Sequence, residues 1–360
     1  MPPATKKTDD NTETGHSDQH SDQHSHQHSD QHSDQHPKPK PKVNTMTAPF
    51  TTIINPLYQI TSTGVPQLLT FWINGGSDVV LQARNNYSTA DEPTFSDTAT
   101  EGTGPLENPS SLTSFVYQAL VRAKFLVRVR GHPLCVYGIS PKKEIVRVSP
   151  TFQVVDSVNC NIEKNAPSLA GCSDGADAAW LYYFKTNTVG RQELKEYDVS
   201  GKQLTPYVGT VETDPYSKLA AVYIDAKTRC VFFQITGDKD SNIGMVDPIT
   251  GSNGIITSAT NVLPNSPIAA CLVEDAIWVY YLDKSENIMK LIIGVANVAA
   301  GGTAFASIPA PTSVNSDTPL KYSSLSASPS PIDRNTYVTY ALPAGSNPIM
   351  RCFVDPWPSK

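Results

Sequence analysis

The chain has little charge, almost no histidine outside one segment, and no unbroken apolar run long enough to cross a bilayer. Only 17% of its 360 residues are charged, against 39% apolar side chains. That balance permits a sizeable core. The net charge of −6 includes −2 from residues 1–42, where five lysines face seven acids, and no general field for nucleic acid follows. Residues 1–42 are polar throughout and contain no apolar centre of a secretory signal. A cytoplasmic protein is therefore expected, with any export by an unconventional route. The longest weakly charged stretch, Leu291 to Ala310, is interrupted by Asn297, three glycines and Pro309. It reads as an outer strand and its connection, not as a membrane span.

What is abundant is Ser, Thr, Pro and Gly, which favours strands and turns over helices and makes an all-β class the first expectation. Residues 1–47 stand apart as a tail. Ser17 to His36 is five tetrapeptides, four of them Ser-Asp-Gln-His, and an alternating Pro-Lys run follows from Pro37 to Lys42. Neither part has enough apolar surface to offset the entropy of ordering it, so a disordered tail is expected.

From Ala48 onward one unit recurs. Leu169-Ala170-Gly171-Cys172, Leu219-Ala220-Ala221-Val222, Ile268-Ala269-Ala270-Cys271 and Leu325-Ser326-Ala327-Ser328 start 50, 49 and 57 residues apart. Each follows a serine and precedes an aromatic strand at Leu181, Val231, Val279 or Val338, with weaker copies at Thr70 and Val136. A third strand follows each: Val79-Val80-Leu81, Ile145-Val146-Arg147, Leu194-Lys195-Glu196, Ile243-Gly244-Met245, Ile288-Met289-Lys290 and Ile349-Met350-Arg351. This period is that of a propeller blade, and the expectation is a six-bladed β-propeller of four-stranded blades over residues 48–360. The small residues of each first strand fit crowding near an axis. The last unit lacks a fourth strand, which Phe50 to Ile60 can supply to close the ring and hide both sheet edges. Cys172 and Cys271 occupy matching places in separate blades, as do Cys135 and Cys230, which predicts small buried thiols instead of bridges.

The Ser-x-Leu-Ala-Ala start, the Val-Tyr-Tyr strand and the Asn-Ile third strand resemble the fungal fucose-specific lectin family. The resemblance spans about Ala48 to Lys360. It implies sugar pockets between neighbouring blades, where an arginine before the Val-Tyr-Tyr strand and a glutamate on the third strand bind hydroxyls while an aromatic ring packs on the sugar. The arginine position holds Leu69, Cys135, Trp180, Cys230, Trp278 and Tyr337, none of them arginine; the glutamate position is kept only by Glu196. Degenerate sites are thus expected, with Trp180, Glu196, Tyr197, Trp278, Tyr337 and Trp357 as candidate sugar-binding residues. For Glu196 the alternative is an exposed strand carboxylate, and for the rings it is blade packing.

Three other constellations stand out. Arg122, Lys124, Arg128, Arg130, Lys142, Lys143 and Arg147 face one acid, Glu144, and predict a local basic patch, either a solvated face or an attractor of anions. The tail histidines His16, His20, His24, His26, His28, His32 and His36 supply imidazoles for weak metal affinity without a defined site. Gly171-Cys172-Ser173-Asp174-Gly175 matches a nucleophile elbow in letters only, since no helical pattern follows and His132 lies upstream. A non-catalytic protein without a cofactor is expected: a carbohydrate-binding propeller with glycan or glycoprotein partners, or, alternatively, a structural protein that self-associates.

Overall fold

The computed structural model describes residues 49–359 apart from 56–65, 76, 86–94, 99, 101–103, 118–133, 157–167, 187–188, 190–191, 205–212, 215, 237–240, 301–304, 306, 316, 321 and 344–347. The expectations for the tail, for its histidines, and for Arg122, Lys124, Arg128, Arg130 and His132 lie outside the described residues.

Six antiparallel sheets follow one another along the chain. Blade one is β1 (Phe50–Ile54), β2 (Leu68–Ile73), β3 (Val79–Arg84) and β4 (Phe95–Thr98); blade two is β5 (Thr113–Val116), β6 (Leu134–Ile139), β7 (Ile145–Ser149) and β8 (Gln153–Asp156). Blade three runs through β9 (Leu169–Ser173), β10 (Ala179–Thr186), β11 (Gln192–Asp198) and β12 (Gln203–Leu204), and blade four through β13 (Ala220–Asp225), β14 (Thr228–Thr236), β15 (Ser241–Val246) and β16 (Asn253–Ile256). Blade five comprises β17 (Ile268–Val273), β18 (Ala276–Leu282), β19 (Ile288–Gly294) and β20 (Thr312–Asn315); blade six comprises β21 (Leu325–Ser330), β22 (Asn335–Leu342) and β23 (Ile349–Pro356).

The inner strands close a circuit: β1 lies beside β5, then β9, β13, β17 and β21 follow, and β21 returns to β1. All six aromatic second strands and all six third strands stand where the repeat placed them. Strand alternation turns successive residues towards opposite neighbours, so each joint between blades has its own apolar core. Tyr182, Phe184, Val231 and Phe233 fill the third joint, while Cys230, Phe232, Met245 and Ile277 fill the fourth.

A recurring hydroxyl explains the serine before three of the inner strands. Ser217 accepts from the Gln234 N–H at 2.7 Å, Ser266 from Leu282 at 2.8 Å and Ser110 from Ile139 at 3.0 Å. Each bond ties the entry of an inner strand to its blade's second strand. The small residues that follow leave space for neighbours. A Cβ on Gly171 would stand 2.6 Å from the Phe115 ring of blade two, so Gly171→Ala is expected to cost about 1–3 kcal/mol in urea unfolding.

Two expectations are corrected. Phe50–Ile54 is not the fourth strand of blade six but the inner strand of blade one, because its Thr51 and Thr52 suit the crowded axis and pair with Phe71 and Thr70. Among the described residues blade six therefore shows three strands, and hydroxyls seal the seam. Ser324 and Ser326 accept from the N–H groups of Phe50 and Thr52, and Ser326 and Ser328 donate to the Thr52 carbonyl. Leu291 to Ala310, expected as an outer strand and its connection, instead ends β19 and enters a short helix, α1 (Val295–Ala300), on the way to the outer strand β20. Phe305, beyond that helix, packs into the joint between blades four and five. No helix among the described residues is long and apolar enough to cross a membrane.

Cys135, Cys172, Cys230 and Cys271 are buried free thiols. Burial pushes Cys135 up to about 11 and Cys172 and Cys271 up to about 12. An unfolded thiol releases its proton near 8.5, so the stability these groups hold is complete below that pH and is lost as pH rises towards 11 and 12. Iodoacetamide at about pH 8 is expected to leave all three unlabelled in the native protein and to label them in denaturant, as mass spectrometry would read.

Candidate functional site

The joint between blades three and four carries the densest polar constellation. On β10, Trp180, Tyr182 and Phe184 share the face turned to blade four, and on β11 Glu196 stands opposite Tyr182. From blade four, Arg229 on β14 faces back across the joint. Its guanidinium donates to both Glu196 oxygens at 3.1 and 2.9 Å and to the Tyr182 hydroxyl at 2.9 Å, and its carbon lies 4.0 Å from the centre of the Trp180 ring. Tyr223 of β13 stacks on Trp180 with centroids 5.7 Å apart and planes inclined by 8°.

The burial of these groups is graded. Glu196 and Arg229 are 3% and 7% exposed, whereas Trp180 and Tyr223 are half-buried. The expected alternative of an exposed strand carboxylate at Glu196 is thus corrected: alternation turns it into the joint, where a charge needs a partner. Tyr182, withdrawn from water and beside the Cys172 and Glu196 acids, has its phenol raised well above its ordinary range. It stays a neutral hydroxyl.

Arg229 is the residue that sequence reasoning missed. The arginine was sought at Cys230, which faces blade five. A displacement of one residue along a strand moves a side chain to the other face, so Arg229 serves the joint before its blade instead of the joint after it. The signal was an arginine beside the searched position.

The joint between blades five and six has the same layout with the charges exchanged. Lys290, on β19 at the place that matches Glu196, pairs with Asp355 of β23 at 2.9 Å and sits 4.2 Å from the centre of the Trp278 ring. Tyr280 donates to the same carboxylate at 2.8 Å. Trp278 itself is 2% exposed. Trp357 is half-buried, donates from Nε1 to the Thr336 hydroxyl at 3.0 Å, and has Arg334 over its ring at 5.6 Å.

The remaining candidates are placed apart from these grooves. Tyr197 alternates with Glu196, faces blade two, and donates to the Val155 carbonyl at 3.1 Å. Tyr337 is buried and its hydroxyl donates to Asp333 in its own hairpin. Of the described members of the basic patch, Lys142 is exposed, Lys143 is paired with Glu107, and Arg147 is buried with its guanidinium on Thr151 and Gln153. Ser173 ends β9 and donates to the Val116 carbonyl at 2.6 Å, and a hairpin, not a helix, follows it. Among the described residues no group of three or more His, Cys, Asp or Glu is placed to hold a metal ion.

Solved structures with this architecture include a fungal lectin. The chain has the fold of the Aleuria aurantia lectin. That protein, a six-bladed β-propeller with a fucose recognition mode, matches at 17% identity with a TM-score of 0.59, over 86% of this chain and 96% of its own. AofleA from Arthrobotrys oligospora matches at 17% identity and a TM-score of 0.57, over 87% of this chain and 84% of its own. SapL1 lectin, solved with α-methyl fucoside, matches at 12% identity and 0.55, over 86% and 96%. No family model matches the chain, and no curated protein does.

The Arg229–Glu196 pair makes a measurable claim. Arg229→Met strands a buried carboxylate and is expected to cost about 3–5 kcal/mol in urea unfolding, whereas Arg229→Met with Glu196→Met is expected to return close to the wild-type value.

Proposed function

We propose that the protein is a glycan-binding propeller that acts without catalysis, and that its working groove lies between blades three and four. The observation that supports this reading is the half-buried Trp180–Tyr223 stack set over the Arg229–Glu196–Tyr182 network. A flat ring covers the C–H face of a sugar, and a guanidinium–carboxylate pair at its edge offers charge-assisted hydrogen bonds to hydroxyls. Residues 48–360 are the unit that carries the groove. The partners are glycans or glycoproteins, and fucose, which the similarly folded lectins recognise, is the first sugar to try.

The other grooves support the idea that most sites of this kind have been lost from the ring. Hydrocarbon fills the joint between blades four and five, and in the joint between five and six Trp278 is only 2% exposed, where Trp180 is half-buried. Those same closures favour a second reading, in which the propeller is an interaction disc that self-associates and binds no sugar.

A glycan array with fucose titrations separates the two. The first reading expects wild-type binding that falls about two- to tenfold in Trp180→Ala and in Tyr223→Ala, given roughly 0.5–1.5 kcal/mol per stacked ring, measured well below the melting temperature of each variant. Absence of binding to every glycan, together with concentration-dependent light scattering, would establish the interaction disc instead.

A further inference from the structure

The inner strands line an open cavity of about 390 Å³ on the ring axis. Sheet register makes one position in each blade equivalent, three residues before the residue opposite the centre of the second strand: Pro49, Ser111, Ser168, Lys218, Pro267 and Ser324. All six line the cavity. Five are short and neutral. The sixth is a lysine, and among the described lining residues it alone is charged.

The lysine's backbone is held in place. Ser217 accepts from Gln234 N–H, its own N–H donates to the Asp214 carbonyl, and Asp214 N–H donates to the Gln234 carbonyl. Lys218 is half-buried, with part of its surface open where it borders the cavity. Withdrawal from water is the cause that brings its pKa down to about 8. The titratable groups sharing the wall are the phenols of Tyr216 and Tyr322, and the Asp214 carboxylate on the same loop accepts from the Tyr216 N–H.

Hydroxyl donors complete the wall. Ser324 accepts from Phe50 N–H, which leaves its proton to donate. Thr51 and Ser114 share one hydrogen bond at 2.8 Å, so one of their two protons is left over whichever donates. Asn265, at the entry of blade five, adds an amide. A concave space with a few convergent polar groups and one cation suits a small anionic molecule.

We propose that this axial cavity binds a small oxyanion, a carboxylate or a sulfate or phosphate ester, with Lys218 as its counter-ion and the surrounding hydroxyls as donors. The site is separate from the Trp180 groove, so either can exist without the other. A bound oxyanion offsets the cost of holding the ammonium away from water and raises its pKa, so affinity is full below about pH 8 and falls above it.

The test is calorimetric titration of the full-length protein with sulfate and with acetate, both of which keep their charge from neutral to alkaline pH. Binding is expected in the wild type and in Lys227→Gln, an exposed lysine of the same blade, and is expected to fall at least tenfold in Lys218→Gln. The two anions separate the sulfate- and phosphate-like from the carboxylate class. In the wild type alone, affinity is expected to drop about thirtyfold between about pH 7 and pH 9.5, following the ammonium fraction of a group titrating near 8. Equal binding by Lys218→Gln, or affinity unchanged across that pH range, would overturn the proposal; the wild-type pH series decides it even if the variant does not fold.

Discussion

Space at the axis is the constraint on which the molecule depends. Six inner strands approach one line, and each must carry residues small enough to let its neighbours in while its blade widens outward. The result is a division of labour along every blade. Ala, Gly, Ser and Thr stand on the first strand, and Tyr, Phe and Trp on the second fill the wedge-shaped joints. The Gly171 backbone lies so near the Phe115 ring that no side-chain carbon fits between them. Burial of the aromatic wedges supplies the apolar driving force, and the axis decides where those aromatics can go.

The polar groups follow from the same geometry. A joint between blades is narrow and dry, and a charge placed there needs its opposite from the facing blade. Two joints meet this need in opposite senses, with Glu196 held by Arg229 and Lys290 held by Asp355. In both, the cation also lies on a tryptophan, where the ring's negative face adds attraction. The layout is therefore conserved between the joints as a pattern of contacts even though no charged residue is shared. Where neither charge is present, as between blades four and five, hydrocarbon fills the gap.

Much of this was legible in the chain. The number of blades and the place of every second and third strand follow from a period near 50 residues, because each blade solves one packing problem with the same residue types. Closure was misread, since an apolar leading segment fits either an outer or an inner strand, and only the threonines at Thr51 and Thr52 favour the axis. Arg229 escaped notice for a sharper reason: a single-residue offset reverses the face a strand residue serves, and a search by position along the repeat does not see which blade it turns to. Lys218 carries no signal of its own in the sequence; register alone aligns it with two prolines and three serines.

The seam between blades one and six has a consequence of its own. No sheet spans it among the described residues; serine hydroxyls from β21 and from Ser324 just before it hold the backbone of β1. Among the described residues it is thus a joint like the other five, sealed by side chains. A circularly permuted chain, opened at a different inter-blade loop and with blades one and six covalently linked, would need the same six interfaces and no others.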